Sequence, residues 1–331
     1  MALRMRNLAA NVLSVLIVVG IVMLVAIGFA KREFTAPGPL QEEVVVLVPR
    51  DATLSDTTRL LKLNGAIDSE FLFRVGARYR REDRLLKHGE YRIPAGTSMA
   101  EILALLVSGR SIQHKLTVAE GLTSHQIVKI VAANELLVGE VDGVPPEGSL
   151  APDTYFIQRN QTRSDVLKRM AESQVAVLAE AWEKRASDLP LSSPEEVLIL
   201  ASIVEKETGI AEERGRVASV FVNRLKRGMR LQSDPTVVYG VTEGKGPLGR
   251  GLRRSELDWV TPYNTYQIDG LPPTPIAAPG CDAIAAVVNP DETDFLYFVA
   301  DGTGGHVFAT TLQEHNRNVA KWRRLERVNN N

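Results

Sequence analysis

Residues 193–209 read SPEEVLILASIVEKETG. Ser193 is a preferred N-cap residue, Pro194 suits the first helical position and Glu196 stands third. VLILASIV then runs apolar without a break. A helix with no polar face is buried on every side, so the spacing predicts a core helix over 194–208 that stops at Gly209.

The helix ends in Glu205-Lys206-Glu207. At about 100° per residue the two glutamates point roughly 200° apart and cannot serve one site as a pair. Below Glu205, at i−4 and i−3, stand the small residues Ala201 and Ser202, which leave room for a ligand. Below Glu207 stand Ile203 and Leu200, which favour packing or a pairing with Arg214 or Arg216 of the next helix. A carboxyl at the end of so apolar a helix has its charged form disfavoured by desolvation, which is what a general acid requires. A glutamate held in a salt bridge fits the same local sequence, and at this point both readings of Glu205 stand.

N-terminal to this helix, residues 164–187 are helical and highly charged, as on a solvated outer face. Three earlier stretches, 44–65, 90–109 and 114–131, share one order: a short strand, a turn, then an amphipathic helix. Ser98 with Glu101 and Thr123 with Gln126 are capping boxes, and Gly109 ends the second helix. Small units of this kind bury little alone and are expected to pack together. With no clustered chemistry, they read as a compact α+β spacer or binding module.

Further upstream, Leu8–Ala30 is apolar apart from Asn11, Ser14 and two glycines. Twenty-three helical residues rise about 34 Å, enough to cross a hydrocarbon core of about 30 Å. Ala26-Ile27-Gly28 would pass as a cleavage site, but a signal-peptide apolar region is usually only about 7–15 residues. The sequence therefore predicts a single-pass anchor over 1–32, then a spacer over 33–41. Arg4 and Arg6 on one side against Lys31 and Arg32 on the other leave the positive-inside count nearly tied.

Those four residues also distort the overall charge. The 331 residues hold 39 Lys and Arg against 40 Asp and Glu, but residues 33–331 hold 35 against 40. An acidic ectodomain argues against nucleic acid as a partner. Hydrophobic content of 44% with 24% charge is globular and argues against disorder. The lone Cys281 permits no internal disulfide and no cysteine-based zinc site, and the five histidines show no ligand spacing, so no metal or cofactor is expected. Nucleophile-elbow, zinc-protease, phosphate-loop and dinucleotide motifs are missing from the sequence.

Downstream, LQSDPTVVYG (231–240) places Gln232, Ser233 and Asp234 before a proline, with Asp234 a candidate N-cap. YNTY (263–266) places Asn264 and Tyr266 where they could bond or stack on a sugar, or simply form a turn. GLPPTPIAAPG (270–280) is a proline-stiffened loop. FLYFVADGTGGHVFA (295–309) is a hairpin carrying His306, a lone histidine of the structural kind, and Thr311 with Glu314 caps a last helix to about 327. One carboxylate among amides, hydroxyls and tyrosines suits a carbohydrate.

ASIVEKET (201–208), VASVFVNRLKRGMRLQSDPTVVYG (217–240), PYNTYQIDGLPPTPIAAPG (262–280) and LYFVADGTGGHVFATTLQEHN (296–316) resemble the MltG/YceG-type endolytic murein transglycosylases. PDTYF (152–156) also fits, whereas GKGPLGRGLRR (244–254) has no counterpart in that pattern. The resemblance covers about residues 40–327. It implies an α+β chain with an N-terminal transmembrane helix, a small LysM-like α+β module over 41–111 and a mixed α+β catalytic domain over 112–331. It implies a bacterial inner-membrane protein with its enzyme in the periplasm, acting on peptidoglycan glycan strands, with peptidoglycan synthases as partners. The first glutamate of E-K-E is the family's catalytic residue, which corresponds to Glu205; cleavage leaves 1,6-anhydro-N-acetylmuramic acid ends. Gln232, Ser233, Asp234, Asn264 and Tyr266 are the candidate substrate-binding groups. A muramidase using Glu205 with Asp234, and a non-catalytic tethered peptidoglycan-binding protein, are the rival readings.

Overall fold

The computed structural model describes residues 2–329, with side chains described over 13–327. The chain divides into two compact units, 1–114 with 158–160, and 115–157 with 161–331.

The first unit opens with helix α1 (Ala2–Thr35). Its part Leu13–Thr35, 23 residues of mean hydropathy 2.9, is long and apolar enough to cross a membrane. Strand β1 (Val44–Val48) pairs antiparallel with β2 (Gly89–Ile93), Val46 opposite Tyr91. Between them lie α2 (Leu54–Leu63) and α3 (Glu70–Tyr79), and after them α4 (Met99–Ser108). Both capping residues of α4 act as the sequence predicts: Ser98 accepts the Glu101 N–H and Glu101 accepts the Ser98 N–H. Gly109 closes the helix at φ +73°, a conformation an L side chain resists. Tyr91, Phe73, Leu61, Ile102 and Leu106 form the core.

Three features depart from the sequence expectation here. Helix α1 does not stop at Arg32, where the anchor is expected to end, but continues to Thr35. Phe34 is buried in the core of the unit against Phe73, in space left open by Gly76, and Arg80 lies over its ring. Within the spacer 33–41, Phe34 and Gly38 tie the chain to this unit, the Gly38 N–H bonding the Gly96 carbonyl, while Glu33, Thr35, Pro37 and Gln41 are exposed. Helix α3, capped by Ser69, went unnoticed because its apolar positions are mixed with arginines and exposed Phe71, Val75 and Tyr79.

The second unit begins with β3 (His114–Thr117), whose first residue belongs to the preceding unit, and α5 (Ser124–Ala133). The third strand–helix stretch does not join the first two: β3 pairs with β5 (Thr154–Ile157), and Leu116, Ile127 and Val131 pack with Leu150, Ile157 and Met170. Short strands β4 (Leu137–Val138) and β6 (Gln161–Thr162) pair in parallel. Helix α6 (Arg163–Glu183) is less solvated than its charge suggests, because Val166, Leu167, Met170, Gln174 and Leu178 recur at helical spacing and are buried.

Around α7 (Pro194–Glu207) are gathered α8 (Arg214–Lys226), α9 (Asp234–Thr242) and α11 (Cys281–Val288), and the short α10 (Arg254–Asp258) packs on α9. The hairpin β7 (Tyr297–Ala300) and β8 (His306–Ala309) follows, then α12 (Leu312–Asn329). Val197, Ile199–Val204 and, from α8, Val217, Val220 and Phe221 are buried together, which makes α7 the centre of this unit. The helix stops one residue earlier than predicted. Thr208 turns to an extended conformation and its hydroxyl accepts the Ile210 N–H, so Gly209 is not needed as the stop.

Candidate active site

The last turn of α7 carries Glu205 and Glu207 into different surroundings, as their angular separation requires. Glu205 is half-buried, and its Oε2 accepts the N–H of Gly280, 3.1 Å away, the residue that caps α11. Burial pushes its pKa above the ordinary carboxylate value. The neighbouring charge of Glu120 adds to the rise, while the Gly280 N–H, Arg214 and Lys206 oppose it.

Three loops hold this corner together. Gly121 donates to the Ala278 carbonyl (2.9 Å) and Ala278 donates to that of Leu122 (2.7 Å), which fastens the turn after β3 to the proline-stiffened loop. Lys206 Nζ donates to the Gly121 carbonyl at 3.1 Å. Gly121 has φ +73°, and a Cβ there would sit 3.7 Å from Glu205 Cγ. Ser202 donates to the Ile199 carbonyl and accepts the Ile276 N–H, seating the same loop on α7. Next to Glu205, along its neighbours Gly121 and Lys206, opens a cleft of about 390 Å³ that Thr123, Asp234, Tyr239 and Ile276 also line, while Glu205 itself stands behind these walls. That volume falls in the range of small-ligand sites.

Glu207 meets neither arginine expected for it. Arg214 pairs with Glu120 (3.5 Å) and Asp282 (3.2 Å), and Arg216 with Glu213 (3.8 Å). Instead the Ser233 hydroxyl donates to Glu207 at 2.6 Å. Protein crowds this carboxyl, and desolvation pushes its pKa up to about 7, against the lowering effect of the Ser233 hydrogen bond.

The remaining predicted residues form a second cluster. Gln232 is exposed at φ +50°, its N–H bonded to the Thr265 carbonyl and its side-chain oxygen 3.4 Å from Arg224. Arg224 is buried and donates to the Leu296 and Leu231 carbonyls, which anchors this loop to the hairpin. Ser233 is buried, with its hydroxyl committed to Glu207. Ser233, not Asp234, holds the N-cap position of α9, and no side-chain cap forms there. Asp234 is the first helical residue and accepts the Tyr266 hydroxyl at 2.6 Å, which leaves it free of the capping role.

Asn264 is committed to backbone hydrogen bonds. It is buried, its amide nitrogen donates to the carbonyls of Glu256, Leu257 and Trp259, and its oxygen accepts the Tyr266 N–H. Its hydrogen-bonding capacity is used in shaping the turn that presents Tyr266. Among the described residues, no hydrogen bond joins Glu205 to this cluster; Asp234 and Lys206 meet only as walls of the cleft. His306 bonds Glu213 through both its ring (2.7 Å) and its N–H (3.0 Å), a structural use. Among the described residues no three His, Cys, Asp or Glu side chains converge as a metal site.

Glu120 and Gly280 were not singled out in the sequence. The one local signal was the Glu-Gly pair at a predicted turn, which carries no chemistry until the far-downstream loop holding Ala278 and Gly280 is in place.

Residues 46–321 match the YceG-like family. The chain belongs to that family. This YceG-like chain is 31% identical over 311 residues to the endolytic murein transglycosylase of Bacillus subtilis strain 168, covering 84% of each. It is 29% identical over 327 residues to the endolytic murein transglycosylase of Streptococcus pneumoniae strain D39, covering 84% of this chain and 58% of that longer protein. Among solved structures, a yceG-like protein from Listeria monocytogenes is similar to it, with a TM-score of 0.53 and 28% identity, covering 84% of this chain and 99% of that one.

Proposed function

We propose that this chain is a peptidoglycan lytic transglycosylase that cuts glycan strands internally, at the β-1,4 bond between N-acetylmuramic acid and N-acetylglucosamine. Its relatives are named for this activity. The observation that carries the proposal to a mechanism is Glu205, a half-buried carboxyl raised in pKa and held by one backbone N–H beside an open cleft.

Protonated Glu205 donates its proton to the glycosidic oxygen as the bond to muramic C1 breaks. The carboxylate so formed takes the proton of the same sugar's C6 hydroxyl, and O6 closes on C1 to give the 1,6-anhydro ring. Glycosidases that use water as the acceptor ordinarily need two carboxyl groups. Here the nucleophile belongs to the substrate, so one group performs both proton transfers in turn and the cost of positioning the acceptor is small. The Gly280 N–H stabilises the carboxylate between the two transfers. Asp234, which lines the cleft, and Tyr266, bonded to it, orient the strand, Gln232 adds a contact from the same loop, and Ser233 acts by fixing Glu207. In this reading α1 anchors the chain in the bacterial inner membrane with the enzyme in the periplasm, and residues 41–111 serve as a LysM-like module ahead of the catalytic domain over 112–331.

The test is digestion of purified peptidoglycan by the detergent-solubilised full chain, followed by mass spectrometry of the fragments. The expected products are lighter by one water than hydrolytic ones and resist borohydride reduction. Reducible ends would instead support a muramidase that adds Asp234, which lines the same cleft. Absence of any fragment would leave a binding protein.

A further inference from the structure

Two carboxyl groups flank one glycine at the candidate site. Gly280 gives its N–H to Glu205, and the carboxylate of Glu120 lies over its Cα, where any Cβ would overlap it. Glu120 is held there because Gly121 is fastened to Ala278 and to Lys206. Arg214, at the start of α8, spans Glu120 (3.5 Å) and Asp282 (3.2 Å), with its side chain only 12% exposed. Its Nε is buried and has no hydrogen-bond partner among the described residues.

We propose that Glu120 and Arg214 are positioning residues for Glu205, a charge pair that keeps its proton on for the first half of the reaction and receives its negative charge in the second. The inference rests on Glu205 being the acid. Glu120 opposes ionisation of Glu205 by like charge, and Arg214 favours it. Because Glu120 and Asp282 occupy the guanidinium, the pull of Arg214 on Glu205 is weakened while Glu205 carries its proton. Once the proton has gone to the glycosidic oxygen, the Gly280 N–H bonds the new carboxylate and the charge of Arg214 favours it. The other charged or titratable groups at this corner are Lys206 on α7 itself, Asp282 and Cys281 on α11, and Asp153, whose charge reaches Cys281.

The test is the pH dependence of kcat/KM for strand cleavage by the full chain, whose alkaline limb reports loss of the acid's proton. Glu120→Gln removes the like charge and is expected to move that limb down by about one pH unit. Asp282→Asn, an exposed change that frees Arg214 toward Glu205, moves it in the same direction by less. Arg214→Gln moves it upward, and Arg214→Lys brings it back toward wild type. A structural role would lower activity by one factor at every pH and leave the limb in place. That outcome for both Glu120→Gln and Asp282→Asn overturns the proposal, and Asp282→Asn decides it should Glu120→Gln not fold. If Glu205→Gln cleaves as fast as wild type, it is the choice of acid that has failed, a result distinct from an unmoved limb.

Discussion

Glu205→Gln is expected to lower glycan-strand cleavage by about 10²–10⁴-fold, the usual worth of a positioned general acid. Glutamine has the size of glutamate and keeps an oxygen to accept the Gly280 N–H, so the corner formed by Gly121, Ala278 and Gly280 stays built. What it lacks is a proton that can leave for the glycosidic oxygen and a carboxylate that can retrieve one from the C6 hydroxyl. The loss therefore falls on kcat, with binding of the strand retained. Steady-state cleavage rates and a pull-down on insoluble peptidoglycan, made on the same preparation, separate the two. Circular dichroism checks that the variant is folded. Cleavage by Glu205→Gln at the wild-type rate would remove Glu205 from the mechanism.

The second large effect concerns stability and the other glutamate. Burial lifts Glu207 to about 7 from an ordinary 4.5, so the folded chain holds this proton more tightly than the unfolded chain does. The stability this contributes is complete below pH about 4.5 and is lost as pH rises through about 7. Glu207→Gln keeps the shape and cannot ionise. It is expected to match wild type near pH 5 and to exceed it by roughly 3 kcal/mol at pH 8, since each pKa unit is worth about 1.4 kcal/mol. Urea unfolding of the full chain in detergent at both pH values measures the difference. A gap of the same size at pH 5 and pH 8 would mean that Glu207 does not carry the buried proton. Glu207→Gln also retains an acceptor for the Ser233 hydroxyl, so the loop leading into α9 keeps its support.

Local chemistry made much of the framework readable. Capping boxes at Ser98 and Thr123, the N-cap and proline at Ser193-Pro194 and the Asp-Gly hairpin all rest on neighbours within five residues, and the structure uses each of them. The different surroundings of Glu205 and Glu207 followed from helical geometry and from which side chains lie one turn below. Two helices show where patterning failed. Helix α3 hides because its outer face carries Phe71, Val75 and Tyr79, which blurs the apolar period, and α6 reads as a solvated outer helix because long charged side chains outnumber its buried stripe.

The finer parts of the site could not be read in advance because they are tertiary. Glu120 reaches the corner of Glu205 only through the Gly121–Ala278 and Leu122–Ala278 bonds, and Gly280 matters only because two carboxyl groups converge on it. Asn264 between two tyrosines has the composition of a sugar contact, yet three backbone carbonyls take its amide. Asp234 before a proline has the signature of an N-cap, yet a tyrosine hydroxyl 32 residues away binds it and Ser233 takes the cap position. The partner of Asp234 is remote in the chain, and those of Asn264 are carbonyls in and just after α10 that come within its reach only once the turn is folded.

The central claim is that the substrate's own C6 hydroxyl, not water, attacks muramic C1 with Glu205 as sole acid and base. Cleavage of peptidoglycan by the full chain in water enriched in oxygen-18 tests it most directly, with the new ends examined by mass spectrometry. The expected products are anhydro ends that carry none of the heavy oxygen. Heavy oxygen on muramic C1 in the primary products would contradict it and would require a water molecule and a second catalytic group.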